Sequence, residues 1–245
     1  MSVFSKKTYE EQEWISLADL MSGLMLLFLA IAVFYMLALT RSAAGVMQVE
    51  GELGPAICGA FERDSLRSQV PWNAVCDAET LTVRFENPEV LFESGRSDLT
   101  DEFKEILNGF FPGFLRELNS ERYQDRITEI GIEGHTSSDW GLGTDQLLEG
   151  LEAYEANMAL SQARSLSVLS YLARLEVSET VWDSWLRERI TANGFSSARI
   201  IAPNGREDRD RSRRVEFSVR TDAEDRLREI YRQNDAGVSA AVSRP

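Results

Sequence analysis

The sequence predicts one membrane-spanning helix followed by an α+β domain of strand–helix–strand–helix–strand–strand order. Three observations carry that expectation. A single long apolar run, Trp14–Leu39, lies near the start of the chain. Three segments, Thr80–Glu86, Ile127–Glu133 and Arg213–Arg220, alternate apolar and polar residues with the period of two that a half-buried strand requires. Two further segments repeat apolar residues at helical spacing.

Residues 1–13 read as a short polar tail. Within the run that follows, every residue from Leu17 to Leu39 is apolar or small except Asp19, Ser22 and Tyr35. About 20 such residues cross a bilayer, so residues 14–40 are assigned as the span. The run is too long for the apolar part of a signal peptide, and no small-residue cleavage pattern follows it. Lys6 and Lys7 precede the span and only Arg41 follows closely, which places the N-terminus in the cytoplasm and the bulk of the chain outside.

Residues 41–78 are expected to be an exported linker, because Gly45, Gly51, Gly54, Pro55, Gly59 and Pro71 interrupt any long helix. A short helix fits around Ile57–Leu66. The domain then occupies residues 79–221. Its first helix is capped by Ser97 or Asp98 and runs to about Leu118, with Phe103, Ile106, Leu107, Phe110, Phe111 and Phe114 on one face and a kink at Pro112. Gly134 ends the Ile127–Glu133 strand. Asn157–Leu175 forms the second helix, with Leu160, Ala163, Leu166, Leu169 and Leu172 in register, and a short helix follows at Thr180–Arg187. Ile190–Gly194 and Arg213–Arg220 supply the last strands. Residues 222–245 form a charged tail, helical to Arg232 and lacking a packed fold beyond it. No internal repeat is evident.

With the span removed, about 200 residues remain, room for one ordinary domain. The formal net charge is −14, which argues against direct nucleic-acid binding because that requires a basic face. One histidine, His135, and two cysteines, Cys58 and Cys76, leave little material for a zinc site built on Cys and His. His135 reads as a turn residue with a satisfied hydrogen bond and not as a metal ligand, so no metal site is expected. Outside the cell's reducing interior, Cys58 and Cys76 either close a disulfide loop of roughly 18 residues, worth about 3 kcal/mol, or remain two buried thiols. No nucleophile–base pair is visible, so no enzymatic activity is expected.

Asp19 is the conspicuous residue of the span. An ionisable group inside a spanning helix costs about 2.5–3.5 kcal/mol and persists where it moves a proton or ion. Trp14 belongs at the interface, which would put Asp19 about 7.5 Å deeper.

Three segments resemble one known pattern: Phe92-x-x-Gly95-x-x-x-Leu99, Ile132-Glu133-Gly134-His135-Thr136, and Asn157-x-x-Leu160-Ser161-x-x-Arg164. Gly194-Phe195 and Arg213-Arg214-Val215-Glu216-Phe217 complete it. Together they resemble the OmpA-like peptidoglycan-binding domain. The resemblance implies that Thr136, Asn157, Leu160 and Arg164 line the site for a wall stem peptide, Arg164 gripping a carboxylate through paired N–H···O bonds. The family's aspartate after the Gly-His-Thr turn is Ser137 here, so Asp139 is the candidate to replace it, and Ser212 stands where the family has asparagine. A residue-by-residue reading leaves other roles open: Asn157 as helix N-cap, Leu160 as core, and Arg164 paired with Glu133.

The start of the span, Trp14-Ile15-Ser16-Leu17-Ala18-Asp19-Leu20-Met21, resembles that of flagellar MotB-type stator subunits, and more closely that of the B subunits of Zorya anti-phage defence systems. That resemblance implies a homodimer inside a ring of five larger MotA-like subunits in the bacterial inner membrane. Asp19 would carry the translocated H⁺ or Na⁺, and no other cofactor is implied. A flagellar MotB-type stator subunit and a passive membrane-to-wall anchor are the alternatives.

Overall fold

A computed structural model describes residues 3–93, 95–140, 150–175 and 184–223, with 225, 226, 228, 229 and 232; side chains are described for 19–37 and from 51 onward. The chain divides into two units, residues 1–47 with 226–245, and residues 48–225. In the first, the stretch Asp19–Leu37 of helix α1 (Val3–Ser65) is long and apolar enough to cross a membrane. All its described side chains are exposed, Asp19 among them.

In the second unit a five-stranded mixed sheet is built from β1 (Ala74–Asp77), β2 (Thr82–Phe85), β3 (Ile127–His135), β4 (Ile190–Gly194) and β5 (Arg214–Thr221). The strand order is β1-β2-β5-β3-β4, with β3 and β4 parallel and every other pair antiparallel. The helices are α2 (Pro88–Leu91), α3 (Asp101–Leu118), α4 (Gly150–Leu172), α5 (Ser184–Arg187) and α6 (Arg209–Ser212). The period-two pattern puts Val83, Phe85, Ile130, Ile132, Val215, Phe217 and Val219 on one face, where they are buried. Phe217 sits at the centre of that layer. Its ring lies 5.1 Å from Phe110, 5.8 Å from Phe85 and 6.0 Å from Phe114.

Several expectations need correction. Residues 41–65 are not an irregular linker but part of α1. Leu53, Ile57, Ala60 and Phe61 recur at helical spacing and are buried in the domain core. Burying a large apolar side chain contributes about 1.5–3 kcal/mol, which offsets the roughly 1 kcal/mol cost of each interior glycine. Gly54 is required for another reason: a Cβ there would meet the Ala78 carbonyl at 2.0 Å.

Strand β1 was not legible because its four residues show no clean alternation. It forms by pairing with β2 through a turn in which Asp77 Oδ1 accepts the backbone N–H of Glu79 and Thr80. Cys58 and Cys76 are disulfide-bonded, Cα to Cα 5.5 Å, tying α1 to β1. Cys58→Ser is therefore expected to lower unfolding stability by about 2–4 kcal/mol, measurable as the difference between denaturant midpoints with and without reductant.

Thr100, not Ser97 or Asp98, caps α3. Its hydroxyl accepts the Phe103 N–H and donates to the Val90 carbonyl. Pro112 does not break that helix, whose flanking phenylalanines are all held in the core. Strand β3 continues through Gly134 to His135, so His135 closes a strand rather than a turn. Neither of its ring nitrogens has a hydrogen-bond partner. Helix α4 begins at Gly150, placing Asn157 in its interior and excluding a capping role. Residues 180–183 of the expected short helix and 233–245 of the tail lie outside the described residues, as do 141–149 of the long loop.

Candidate functional site

Two glycines set the distance between α4 and the sheet. A Cβ on Gly134 would meet the Ser161 carbonyl at 2.3 Å, and one on Gly194 would meet the Gln162 nitrogen at 2.4 Å. The helix therefore lies directly on β3 and β4. Ser161 Oγ accepts the Ser196 N–H at 3.0 Å, and Gln162 Oε1 accepts the Gly194 N–H at 2.8 Å. This close seating aims one side of α4 at the loop after β3.

Between them opens a cleft of about 390 Å³. Thr136, Asp139, Asn157, Leu160 and Arg164 all line it, so the structure brings the five candidates together. Phe92, Trp140 and Arg213 complete much of the wall. Asn157 is a loop clamp: its amide donates to the carbonyls of Ser137 at 3.2 Å and Asp139 at 3.3 Å. Ser138 anchors the same loop from outside by donating its backbone N–H to Glu207 at 2.9 Å. Leu160 is a cleft-wall residue. Ser137, in the aspartate's usual place, contributes its carbonyl to the Asn157 clamp.

Arg164 is the centre of the site. It does not pair with Glu133, whose carboxylate is taken by Arg199 at 3.0 Å and Ser218 at 2.7 Å. Its Nε donates to the Arg96 carbonyl at 2.9 Å, and its guanidinium lies 4.8 Å over the Phe92 ring. No carboxylate pairs with it among the described residues, and it is only 7 % exposed. Burial, with the nearby Arg213 charge, pushes its pKa down to about 10. It stays protonated at neutral pH, a buried cation held by one carbonyl and one aromatic face. Burying a charge without a counter-ion is costly, so the arrangement favours an incoming anion. Arg213 adds to this field although its own Nη2 is bonded to Asp210.

Asp139 supplies the opposite sign. Both its carboxylate oxygens are buried without a hydrogen-bond donor among the described residues, with Arg209 Nε 3.6 Å away. The cleft therefore presents an under-satisfied guanidinium and an under-satisfied carboxylate, suited to a ligand carrying both a carboxylate and an ammonium. Arg213 was the functional residue that pattern reasoning passed over. The signal was the Arg213-Arg214 doublet at the mouth of β5, where alternation sends the two side chains to opposite faces.

The OmpA family model matches residues 91–214, which span α3, the cleft and the start of β5. The Zorya protein ZorB of Escherichia coli strain Crooks is 39 % identical over 232 residues, 93 % of this chain and 96 % of that protein. The chain belongs to the ZorB family. A second ZorB, from Escherichia coli O139:H28, is 28 % identical over 86 % of this chain and 80 % of its own length. Among solved structures, a putative MotB-like protein from Desulfovibrio vulgaris is 22 % identical, with a TM-score of 0.47 over 75 % of this chain and 99 % of that one. The cleft of this ZorB-family chain sits between the second long helix and the loop that follows Gly-His-Thr.

Proposed function

We propose that the chain is the cell-wall-anchored B subunit of a proton-driven rotary membrane motor serving anti-phage defence. Two copies would sit with their spanning helices inside a ring of five larger MotA-like subunits, N-termini in the cytoplasm and OmpA-like domains in the periplasm. Asp19 would take a proton from outside and release it inside, each charge yielding about 2.3 kcal/mol per 100 mV. Alternating protonation of the two Asp19 carboxylates would step the ring around the dimer. The wall would hold the dimer still, through residues 79–221, so that torque is not lost.

The observation that carries this reading is Arg164, buried, charged and without a carboxylate partner among the described residues, in a cleft that also holds Asp139. Peptidoglycan stem peptides offer the matching free carboxylates and amines. The similarity to two ZorB proteins supports the Zorya reading over the flagellar one.

The test is co-sedimentation of the detergent-solubilised full chain with purified peptidoglycan sacculi. Arg164→Gln removes a charge-assisted contact worth about 1.5–3 kcal/mol, so retention is expected to fall roughly 10- to 100-fold in affinity. Retention equal to wild type would refute wall anchoring through this cleft.

A further inference from the structure

The sheet face opposite Phe217 carries a second convergence that the cleft does not use. Register pairs Glu133 with Glu216, and His135 with Arg214, so these side chains emerge side by side. Glu133, His135 and Glu216 are 4 %, 1 % and 8 % exposed. Each offers one ligand atom, and the three atoms lie within 4.8 Å of one another. His135 Nε2 is 3.6 Å from Glu216 Oε2 and 3.7 Å from Glu133 Oε2. Those distances are too long for hydrogen bonds, and the imidazole has no other partner.

The remaining carboxylate oxygens are committed elsewhere, which fixes the orientation. Glu216 Oε1 accepts from Arg84 at 2.7 Å and Arg214 at 2.6 Å. Glu133 Oε1 accepts from Ser218 at 2.7 Å. What is left is a buried imidazole nitrogen without a hydrogen-bond partner, facing Glu216 Oε2 and the Glu133 Oε2 that Arg199 also contacts, an arrangement that a shared cation relieves if Arg199 gives way. Ligand atoms about 2.0–2.2 Å from a tetrahedral ion stand roughly 3.3–3.6 Å apart, close to the two distances from Nε2; the two carboxylate oxygens, within 4.8 Å of each other here, draw in by up to about 1.2–1.5 Å as the ion binds. We propose that Glu133, His135 and Glu216 bind a divalent cation of the Zn²⁺ class, one imidazole nitrogen and two carboxylate oxygens serving as ligands and water filling the open position.

Arg199 is the competitor. Its Nη1 lies 3.0 Å from Glu133 Oε2, and its guanidinium rests 4.0 Å over Phe195, whose ring stacks on His135 at 5.3 Å. Its side chain is half exposed, so it can turn outward as the ion arrives. Arg84 and Arg214 draw charge from Glu216 and hold the affinity below that of an all-acidic cage. The ion would tie the end of β3 to the start of β5, the two points from which Thr136 and Arg213 reach the cleft.

The chain has one histidine, so its imidazole gives a single resonance in histidine-labelled protein. The full chain, purified in detergent through a histidine-free tag, is titrated with ZnCl₂ by calorimetry and followed at that resonance. One ion per chain and a shifted imidazole signal are expected. Glu216→Gln and His135→Gln should weaken binding at least ~10- to 100-fold. Arg199→Gln, at a half-exposed position that leaves the core intact, should tighten it. No heat and no imidazole shift up to millimolar zinc overturns the proposal. So does zinc binding that survives His135→Gln, or an Arg199→Gln variant that binds no better than wild type.

Discussion

Asp19→Asn is expected to abolish protection against phage while leaving the chain inserted in the membrane. Asp19 opens the stretch Asp19–Leu37 that is long and apolar enough to span. A carboxylate there costs about 2.5–3.5 kcal/mol to insert, and the neutral, nearly isosteric asparagine removes the ionised form responsible for that cost. Insertion therefore has no reason to fail. On the proposed function ion transport does, because asparagine cannot take up and release a proton, and without that step the about 2.3 kcal/mol per charge per 100 mV would not be delivered to the proposed ring. The measurement pairs plaque counts with membrane fractionation of the variant. Protection at the wild-type level in a correctly inserted Asp19→Asn chain would leave a passive wall anchor as the better reading. Arg164→Gln separates the two further, since a passive anchor needs the arginine and not the aspartate.

Phe217→Ala is expected to cost about 3–5 kcal/mol of stability, the range for a fully buried aromatic truncated in a packed core. Phe217 is 0 % exposed on β5, the central strand of the sheet. Its ring meets Phe85, Phe110, Phe111 and Phe114 from strand β2 and helix α3, so truncation opens a void that rigid neighbours cannot fill. Domains of this size have about 5–15 kcal/mol in total, so the loss removes much of it. The melting temperature of the full chain should fall by about 10 °C or more, and Phe217→Leu should fall much less. A Phe217→Ala melt within about 2 °C of wild type would mean that the core is not organised around this ring.

Much of the fold was readable because its signals are local. The alternation in Ile127–Glu133 and Arg213–Arg220 marks strands and also states which residues face the helices. The phenylalanine spacing of residues 103–114 marks α3 and its buried side despite Pro112. Where reading failed, a distant partner outweighed a local signal. The glycines at 51, 54 and 59 argue for a break, yet Leu53, Ile57 and Phe61 find the domain core and keep α1 helical. Asn157 has the side chain of a cap but sits inside α4, and it holds the loop at Ser137 and Asp139 instead.

By itself the sequence marked an apolar helix long enough to span a membrane, with one carboxylate, strands β2, β3, β4 and β5, and the set of residues that resembles a wall-binding cleft. These follow from periodicity and composition, which neighbouring residues express whatever lies across the fold. The tertiary structure alone decided which charges are satisfied. The order β1-β2-β5-β3-β4 gives Glu133 to Arg199 and Glu216 to Arg84, which leaves Arg164 a buried cation with no acid among the described residues and His135 an imidazole between two carboxylates. Electrostatic pairing depends on distances between residues far apart in the chain, and no local pattern encodes those.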